Sequence, residues 1–309
     1  MENRICVCEC WARDGLQSIP QFIPTEQKLE MLRLFAGLGF TRIEATSFSN
    51  PKVVPQFADA DEVLAGLERK PGVSYKATCV NERAVDRAIE AVKAGHGPNE
   101  VSFTISASET HNLHNSKMSH AEHWGKLERM ARKANEAGLR IIATIVTAFG
   151  CPWEGDVPRQ RVEDFARRFA ALGAHYICLG DTTGSANPVQ VREMFTALRG
   201  ECPEVNFIAH FHDTRGTGIA NCVAAYESGV RHFDCSIGGI GGQPALAQRR
   251  YQPGNGGNVC TEDLVCMFNE MGVETGIDSA ALLECGRRAE EILGTQLRSN
   301  VLRCGLVQH

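Results

Sequence analysis

The chain has 309 residues, 43% of them hydrophobic and 22% charged, with a formal net charge of −5 and an isoelectric point near 6.1. That balance describes a globular protein with one large core or two modest ones. It leaves no basic footprint and so argues against a nucleic-acid or membrane-surface partner. No apolar run approaches the roughly 20 residues a membrane span needs. The first apolar run, up to Cys10, contains acidic residues and fits neither a signal nor a transit peptide, so a cytoplasmic location is expected. The thirteen cysteines then read as reduced thiols, most of them small core residues. Cys6, Cys8 and Cys10 alternate along one strand without a second Cys or His cluster at zinc spacing, and no structural zinc is expected there.

Taken in order, strand and helix patterns alternate. Ile5–Trp11 reads as a strand, Thr25–Leu38 as a helix with Leu29, Leu32 and Phe35 on one face, and Arg42–Phe48 as a second strand. Pro51 and Pro55 punctuate the next loop. Asp59–Leu67 and Ser74–Val80 form a helix and a strand, and Glu82–Ala94 is a helix with Val85, Ile89 and Val92 on one side. Val101–Ile105 is the fourth strand. The polar segment Ser106–Ser119, with His111, Asn112, His114 and Asn115, reads as an exposed loop. Trp124, Leu127, Met130, Ala131 and Ala134 mark the following helix, and Arg140–Ala148 is the fifth strand. Val162, Phe165 and Phe169 mark a helix, His175–Leu179 is the sixth strand, and Val189–Leu198 is a helix behind Pro188. Asn206–Phe211, the helix Ile219–Tyr226 and His232–Ile237 complete strands seven and eight. Helices over Glu262–Met271 and Ser279–Leu293 close the chain.

Eight strands, each followed by a helix, predict a (β/α)8 TIM barrel with additional C-terminal helices. No Gly-x-Gly-x-x-Gly follows the first strand, which disfavours an open doubly wound sheet. With no linker or composition shift, residues 1–309 read as a single domain, the barrel over about 4–275 and a helical extension over about 276–309.

In such a barrel the residues just past each strand converge on one mouth. His210 and His212 lie on one face of strand seven, about 7 Å apart along the chain, where two imidazoles can share a metal ion. Asp14, His210, His212 and the amide oxygen of Asn258 make an oxygen and nitrogen set without thiolate, which suits Mg²⁺ or Mn²⁺. Arg13 is a fixed cation able to stabilise an enolate or grip a carboxylate, and Glu44 is placed to orient it or a metal-bound water. Asp181 joins the catalytic candidates at the end of strand six, and Gln17 and Thr182 are candidates for substrate contact. Taken singly, these residues have blander readings: a local Arg13–Asp14 ion pair, a buried Glu44, a turn asparagine at 258.

Arg13-Asp14-Gly15-Leu16-Gln17, Ile43-Glu44-Ala45-Thr46-Ser47-Phe48, Gly150-Cys151-Pro152-Trp153-Glu154-Gly155, Leu179-Gly180-Asp181-Thr182, His210-Phe211-His212-Asp213-Thr214, and Gly257-Asn258 with Thr261-Glu262-Asp263-Leu264 resemble the 3-hydroxy-3-methylglutaryl-CoA lyase family. That family is a branch of the metal-dependent pyruvate carboxyltransferase-like barrels. The resemblance runs in order over nearly the whole chain. It implies retro-Claisen cleavage of 3-hydroxy-3-methylglutaryl-CoA to acetyl-CoA and acetoacetate, with the cation on Asp14, His210, His212 and Asn258. It further implies enolate stabilisation by Arg13, a base for the C3 hydroxyl proton and a homodimer. One position departs from it. Where the family's glycine-rich loop carries a cysteine, this chain has Gly241-Gly242-Gln243-Pro244. A glutamine amide exchanges no proton at a useful pKa. The loop is also about six residues longer before Asn258, and Arg249, Arg250 and Tyr251 within it are read as contacts for a CoA phosphate, a different substrate tail or a lid. Cys260, beyond Asn258, is not taken as the replacement thiol. Three readings stay open: lyase chemistry on the family substrate or a relative such as citramalyl-CoA, a Claisen-type synthase or aldolase on a 2-oxo acid, and a non-catalytic barrel that binds an acyl-CoA.

Overall fold

The computed structural model describes residues 3–242 and 256–308. Eight parallel strands, β1 (Cys6–Glu9), β2 (Arg42–Ser47), β3 (Ser74–Thr78), β4 (Glu100–Ser106), β5 (Arg140–Val146), β6 (Tyr176–Asp181), β7 (Asn206–Phe211) and β8 (His232–Cys235), pair in sequence order, and β8 closes on β1. Around them lie α1 (Thr25–Leu38), α2 (Ala60–Gly66), α3 (Glu82–Lys93), α4 (Glu109–Ser116), α5 (His120–Glu136), α6 (Arg159–Ala171), α7 (Pro188–Glu201) and α8 (Gly218–Glu227). After β8 come α9 (Thr261–Glu270), α10 (Ser279–Leu293) and α11 (Asn300–Cys304). This is the expected (β/α)8 barrel with C-terminal helices, and no described helix is long and apolar enough to cross a membrane.

The amphipathic helices bury their apolar stripes against the outer face of the barrel, where Phe35, Trp124, Phe169 and Phe195 are fully enclosed. The inner face is different. Strands buried on both sides are usually apolar throughout, yet only Ile142, Cys178 and Ile208, with Tyr176 against them, form an apolar cluster inside. Much of the rest is charge arranged in pairs, because an unpaired buried charge is costly. At the lower end Arg42 Nε meets Glu100 Oε2 at 2.8 Å and Arg140 Nη2 meets Glu100 Oε1 at 3.0 Å.

Two expectations are corrected. Ser106–Ser119 is not an exposed loop: Ser108 accepts from the His111 N–H and starts α4, and Asn112 accepts from Ser106 N while donating to Met118 O. His111 and Asn112 turn inward and are buried, whereas His114 and Asn115 stay exposed. The first strand ends at Glu9 rather than Trp11. Glu9 Oε1 accepts from the N–H groups of Trp11 and Ile237, at 2.9 and 3.0 Å, and so turns the chain. A wide turn over Trp11–Gly15 follows, closed by Gly15 N–H to Cys10 O at 3.0 Å. Such five-residue turns occur frequently at functional sites. The short helix α11 is an addition to the sequence reading.

Candidate metal centre at the barrel mouth

Alternation along β7 brings His210 and His212 to the same side, their Nε2 atoms 3.1 Å apart. The wide turn after β1 swings Asp14 over them, with Oδ2 at 3.8 Å from His210 Nε2 and 3.7 Å from His212 Nε2. Asn258 arrives by a route that strand counting does not reveal. The segment 256–260 runs between the ends of β7 and β8: Asp213 N–H bonds Gly257 O, Val259 N–H bonds Phe211 O, and Ser236 N–H bonds Val259 O. Glycines make the approach possible. Gly241 has φ +111°, and a Cβ there would lie 2.4 Å from Asn258 Nδ2; one on Gly257 would lie 2.1 Å from Gly239 O.

Within this cluster Asn258 Nδ2 donates to Asp14 Oδ2 at 2.6 Å and to Ile240 O at 3.0 Å. Its fully buried Oδ1 has no hydrogen-bond partner among the described residues. A buried acceptor left open beside a carboxylate and two imidazoles is what a cation would satisfy. The imidazole spacing of 3.1 Å matches neighbouring ligands on an octahedral ion with bonds of about 2.1 Å. The residues therefore fit a hard divalent cation.

Arg13 extends the site. Its Nη1 donates to Asp14 Oδ1 at 2.8 Å and its Nε lies 2.7 Å from Glu44 Oε1. Burial works against the guanidinium charge, but Glu44 and Asp14 outweigh it and hold the proton more tightly than usual. Burial likewise opposes ionisation of Asp14. Arg13, a hydrogen bond from His212 and the charges of both imidazoles overcome it and hold the carboxyl well below the ordinary range. A register shift between Glu44 and Thr46 marks a bulge in β2, and Thr78 Oγ1 donates to Glu44 Oε1 at 2.8 Å.

Two residues absent from the sequence reading complete a row of alternating charge. Lys76 Nζ lies 3.4 Å from Glu44 Oε2 and 3.3 Å from Asp234 Oδ2, and Asp234 Oδ2 is 3.5 Å from His210 Nδ1. The order is Arg13, Glu44, Lys76, Asp234, His210. Burial disfavours the Lys76 charge, but Asp234 and Glu44 keep it cationic. Burial raises Asp234 too, and Lys76 and His210 more than reverse that. A carboxylate behind a ligand histidine fixes the ring's orientation and tautomer. Their signal was available, since polar Lys76 and Asp234 alternate with Tyr75, Ala77, Phe233 and Cys235 on strands expected to be apolar on both faces.

A cavity of about 390 Å³ opens above this row, with Arg13, Asp14, Gln17, Lys76, His210 and His212 among its lining residues. Val54, Val80, Met118 and Leu127 give it an apolar side, and His111 also reaches it. Burial, with His114 nearby, lowers the His111 imidazole to about 4, so it is neutral at physiological pH. Thr182 is on the wall, its Oγ1 held by the N–H of Thr147 at 2.9 Å. Thr147 has φ +54°, a strained conformation for a β-branched residue.

Asp181 is placed differently. Its carboxylate accepts from Ser185 N and Ala186 N at 2.8 and 3.0 Å and shapes the turn after β6, away from the cavity lining. Cys260 is likewise turned aside, donating to Glu262 Oε2 at 2.8 Å. Gln243, Arg249, Arg250 and Tyr251 lie outside the described residues.

The chain matches the HMGL-like family model over residues 4–288. It is 39% identical to the hydroxymethylglutaryl-CoA lyase YngG of Bacillus subtilis over 301 residues, covering 97% of each protein. It is 33% identical to the mitochondrial hydroxymethylglutaryl-CoA lyase of Homo sapiens, covering 97% of this chain and 89% of that one. Among solved structures, an HMG-CoA lyase from A. baumannii in complex with coenzyme A and 3-methylmalate superposes with a TM-score of 0.92 at 37% identity, covering 99% of this chain and 96% of that one. With a family match over most of its length and a barrel mouth whose residues fit a cation, the chain belongs to the HMGL-like family.

Proposed function

We propose that this protein is a divalent-cation-dependent carbon–carbon lyase that cleaves 3-hydroxy-3-methylglutaryl-CoA, or a close hydroxyacyl-CoA, to acetyl-CoA and a keto acid. The observation that carries the reading is the open, buried Asn258 Oδ1 beside Asp14, His210 and His212, with the Arg13 guanidinium at its edge. Asp14, His210, His212 and Asn258 would hold Mg²⁺ or Mn²⁺, which when bound polarises the substrate's hydroxyl and carbonyl or carboxylate oxygens. Arg13, kept cationic and pinned by Glu44, faces the developing enolate of acetyl-CoA. A base at the mouth takes the C3 hydroxyl proton, whose acidity the bound cation would raise. His210 is steadied by Asp234, and Gln17 and Thr182 line the space for the acyl group. Asp181 serves by shaping the Thr182 turn. Gln243, whose amide gives up no proton at a useful pKa, leaves protonation of the departing carbanion to water. Arg249 and Arg250 are assigned to the CoA phosphates.

The relatives' names favour the six-carbon acyl group. A shorter branched acid, as in citramalyl-CoA, is favoured by the A. baumannii relative's 3-methylmalate, a five-carbon hydroxy diacid isomeric with citramalate. A homodimer is proposed from the family resemblance, and a cytoplasmic location from cysteines that are all free thiols. Incubation with each thioester and identification of the keto acid tests the reading. Acetoacetate with acetyl-CoA supports the first substrate and pyruvate with acetyl-CoA the second; no acetyl-CoA from either overturns the lyase assignment.

A further inference from the structure

Deeper in the barrel lies a group of candidate metal ligands of which only Asp234 has a place in the lyase site. Cys8 and Cys10, on and just beyond β1, bring their sulfurs 3.8 Å apart. Across the β1–β8 pairing Cys8 stands opposite Asp234, so a carboxylate oxygen of Asp234 lies within 4.8 Å of both sulfurs. Cys178 Sγ is 3.9 Å from Asp234 Oδ2. The four residues are almost wholly buried, and Asp234 and Cys178 line the cavity, which supplies a route of entry. Asp234 provides an independent sign of a missing ligand. Its Oδ2 meets Lys76, His210 and Cys178, but its buried Oδ1 has no hydrogen-bond partner among the described residues.

The geometry suits a different ion from the one above. Two thiolates on a tetrahedral zinc, with bonds of about 2.3 Å, stand about 3.8 Å apart. Thiolate selects borderline and soft ions, whereas the oxygen and nitrogen set at the mouth selects hard ones. We propose that Cys8, Cys10 and Asp234 form a second metal site, for a thiophilic divalent cation of the zinc class. Binding releases the two thiol protons to solvent and leaves the fourth position to water from the cavity that Asp234 lines. No partner for Cys8 and Cys10 was visible along their own strand, because Asp234 stands opposite Cys8 on β8. Occupancy has a consequence for turnover. Asp234 also steadies Lys76 and His210, so an ion that recruits it loosens the row behind the catalytic residues. The site therefore acts as an inhibitory metal sensor, working through Lys76 and His210 in protein kept saturated with Mg²⁺.

The test adds one equivalent of Co²⁺ or Zn²⁺ to protein saturated with Mg²⁺. The proposal expects one Co²⁺ per chain with thiolate-to-cobalt charge-transfer absorption, and kcat falling while KM is unchanged. In Cys8→Ser and in Cys10→Ser the absorption is lost and inhibition requires about 10–100-fold more zinc. A band that survives in the double serine variant places the ion on other cysteines and overturns the proposal. Should the variants fail to fold, X-ray absorption at the zinc edge of the unaltered protein decides: at least two sulfur ligands near about 2.3 Å support the site, and a shell of only nitrogen and oxygen overturns it.

Discussion

Asn258 Nδ2 lies 2.6 Å from Asp14 Oδ2 although 244 positions separate the two residues. The contact joins the turn after β1 to the segment laid between β7 and β8, and it leaves Asn258 Oδ1 open towards the proposed cation. Replacing Asn258 with alanine removes that oxygen and a donor to Asp14. Mn²⁺ binding, followed by calorimetric titration, is expected to weaken by about 10–100-fold or more, with the circular dichroism spectrum unchanged. Affinity equal to the parent's would take Asn258 out of the ligand set.

Gly241 holds the same arrangement from the other side. A methyl group there meets Asn258 Nδ2 at 2.4 Å and Asp14 O at 3.0 Å, on a backbone with φ +111°. Gly241→Ala should cost about 1–3 kcal/mol of stability and weaken Mn²⁺ binding in parallel. Urea unfolding and metal titration of the same preparation check both, and a stable variant with normal affinity would show that the loop yields without moving Asn258.

Lys76 neutralises two buried carboxylates at once. Removing one partner of a buried ion pair typically costs about 3–5 kcal/mol, so Lys76→Met should fall in that range by urea unfolding. The double variant Lys76→Met/Asp234→Asn, which removes the uncompensated charge on one side, should recover a substantial part of the loss. Simple additivity of the two single changes would deny the coupling.

Glu9 and Glu262 give the fold a pH dependence at the neutral end. Burial pushes the Glu9 carboxyl up to about 8, against hydrogen bonds from Thr261, Ile237 and Trp11, and pushes Glu262 up to about 7. In the unfolded chain both titrate near 4.5. Between about pH 5 and 8 the folded state thus binds more protons than the unfolded one, and unfolding free energy falls as pH rises through that window and levels off above it. The slope is at most about 1.4 kcal/mol per pH unit for each group. Glu9→Gln/Glu262→Gln, which mimics the protonated pair, should flatten the profile measured by urea unfolding. An unchanged slope would assign it to other groups.

Much of the barrel was legible because its helices carry strong 3.6-residue stripes: Thr25–Leu38 and Ser279–Leu293 have the bounds read from the sequence. His210 and His212 were legible from alternation on one strand, and Arg13 with Asp14 from their place at a strand end. Lys76 and Asp234 were missed because one polar residue mid-strand carries little local signal, and its meaning comes from neighbours on other strands. The position of Asn258 depends on a backbone insertion between β7 and β8, which periodicity cannot report. Ser106–Ser119 misled because its buried side chains are polar; the Ser108 cap and the Ser119 and Glu122 capping box were the signals to weigh.

The most direct test of a cation-dependent lyase is acetyl-CoA release from 3-hydroxy-3-methylglutaryl-CoA by chelator-stripped protein, before and after adding Mg²⁺ or Mn²⁺, with Asp14→Asn alongside. The account predicts no cleavage by the stripped protein, recovery with either ion, and no recovery in the Asp14→Asn variant. Full cleavage by the stripped protein, or recovery undiminished in that variant, would contradict it.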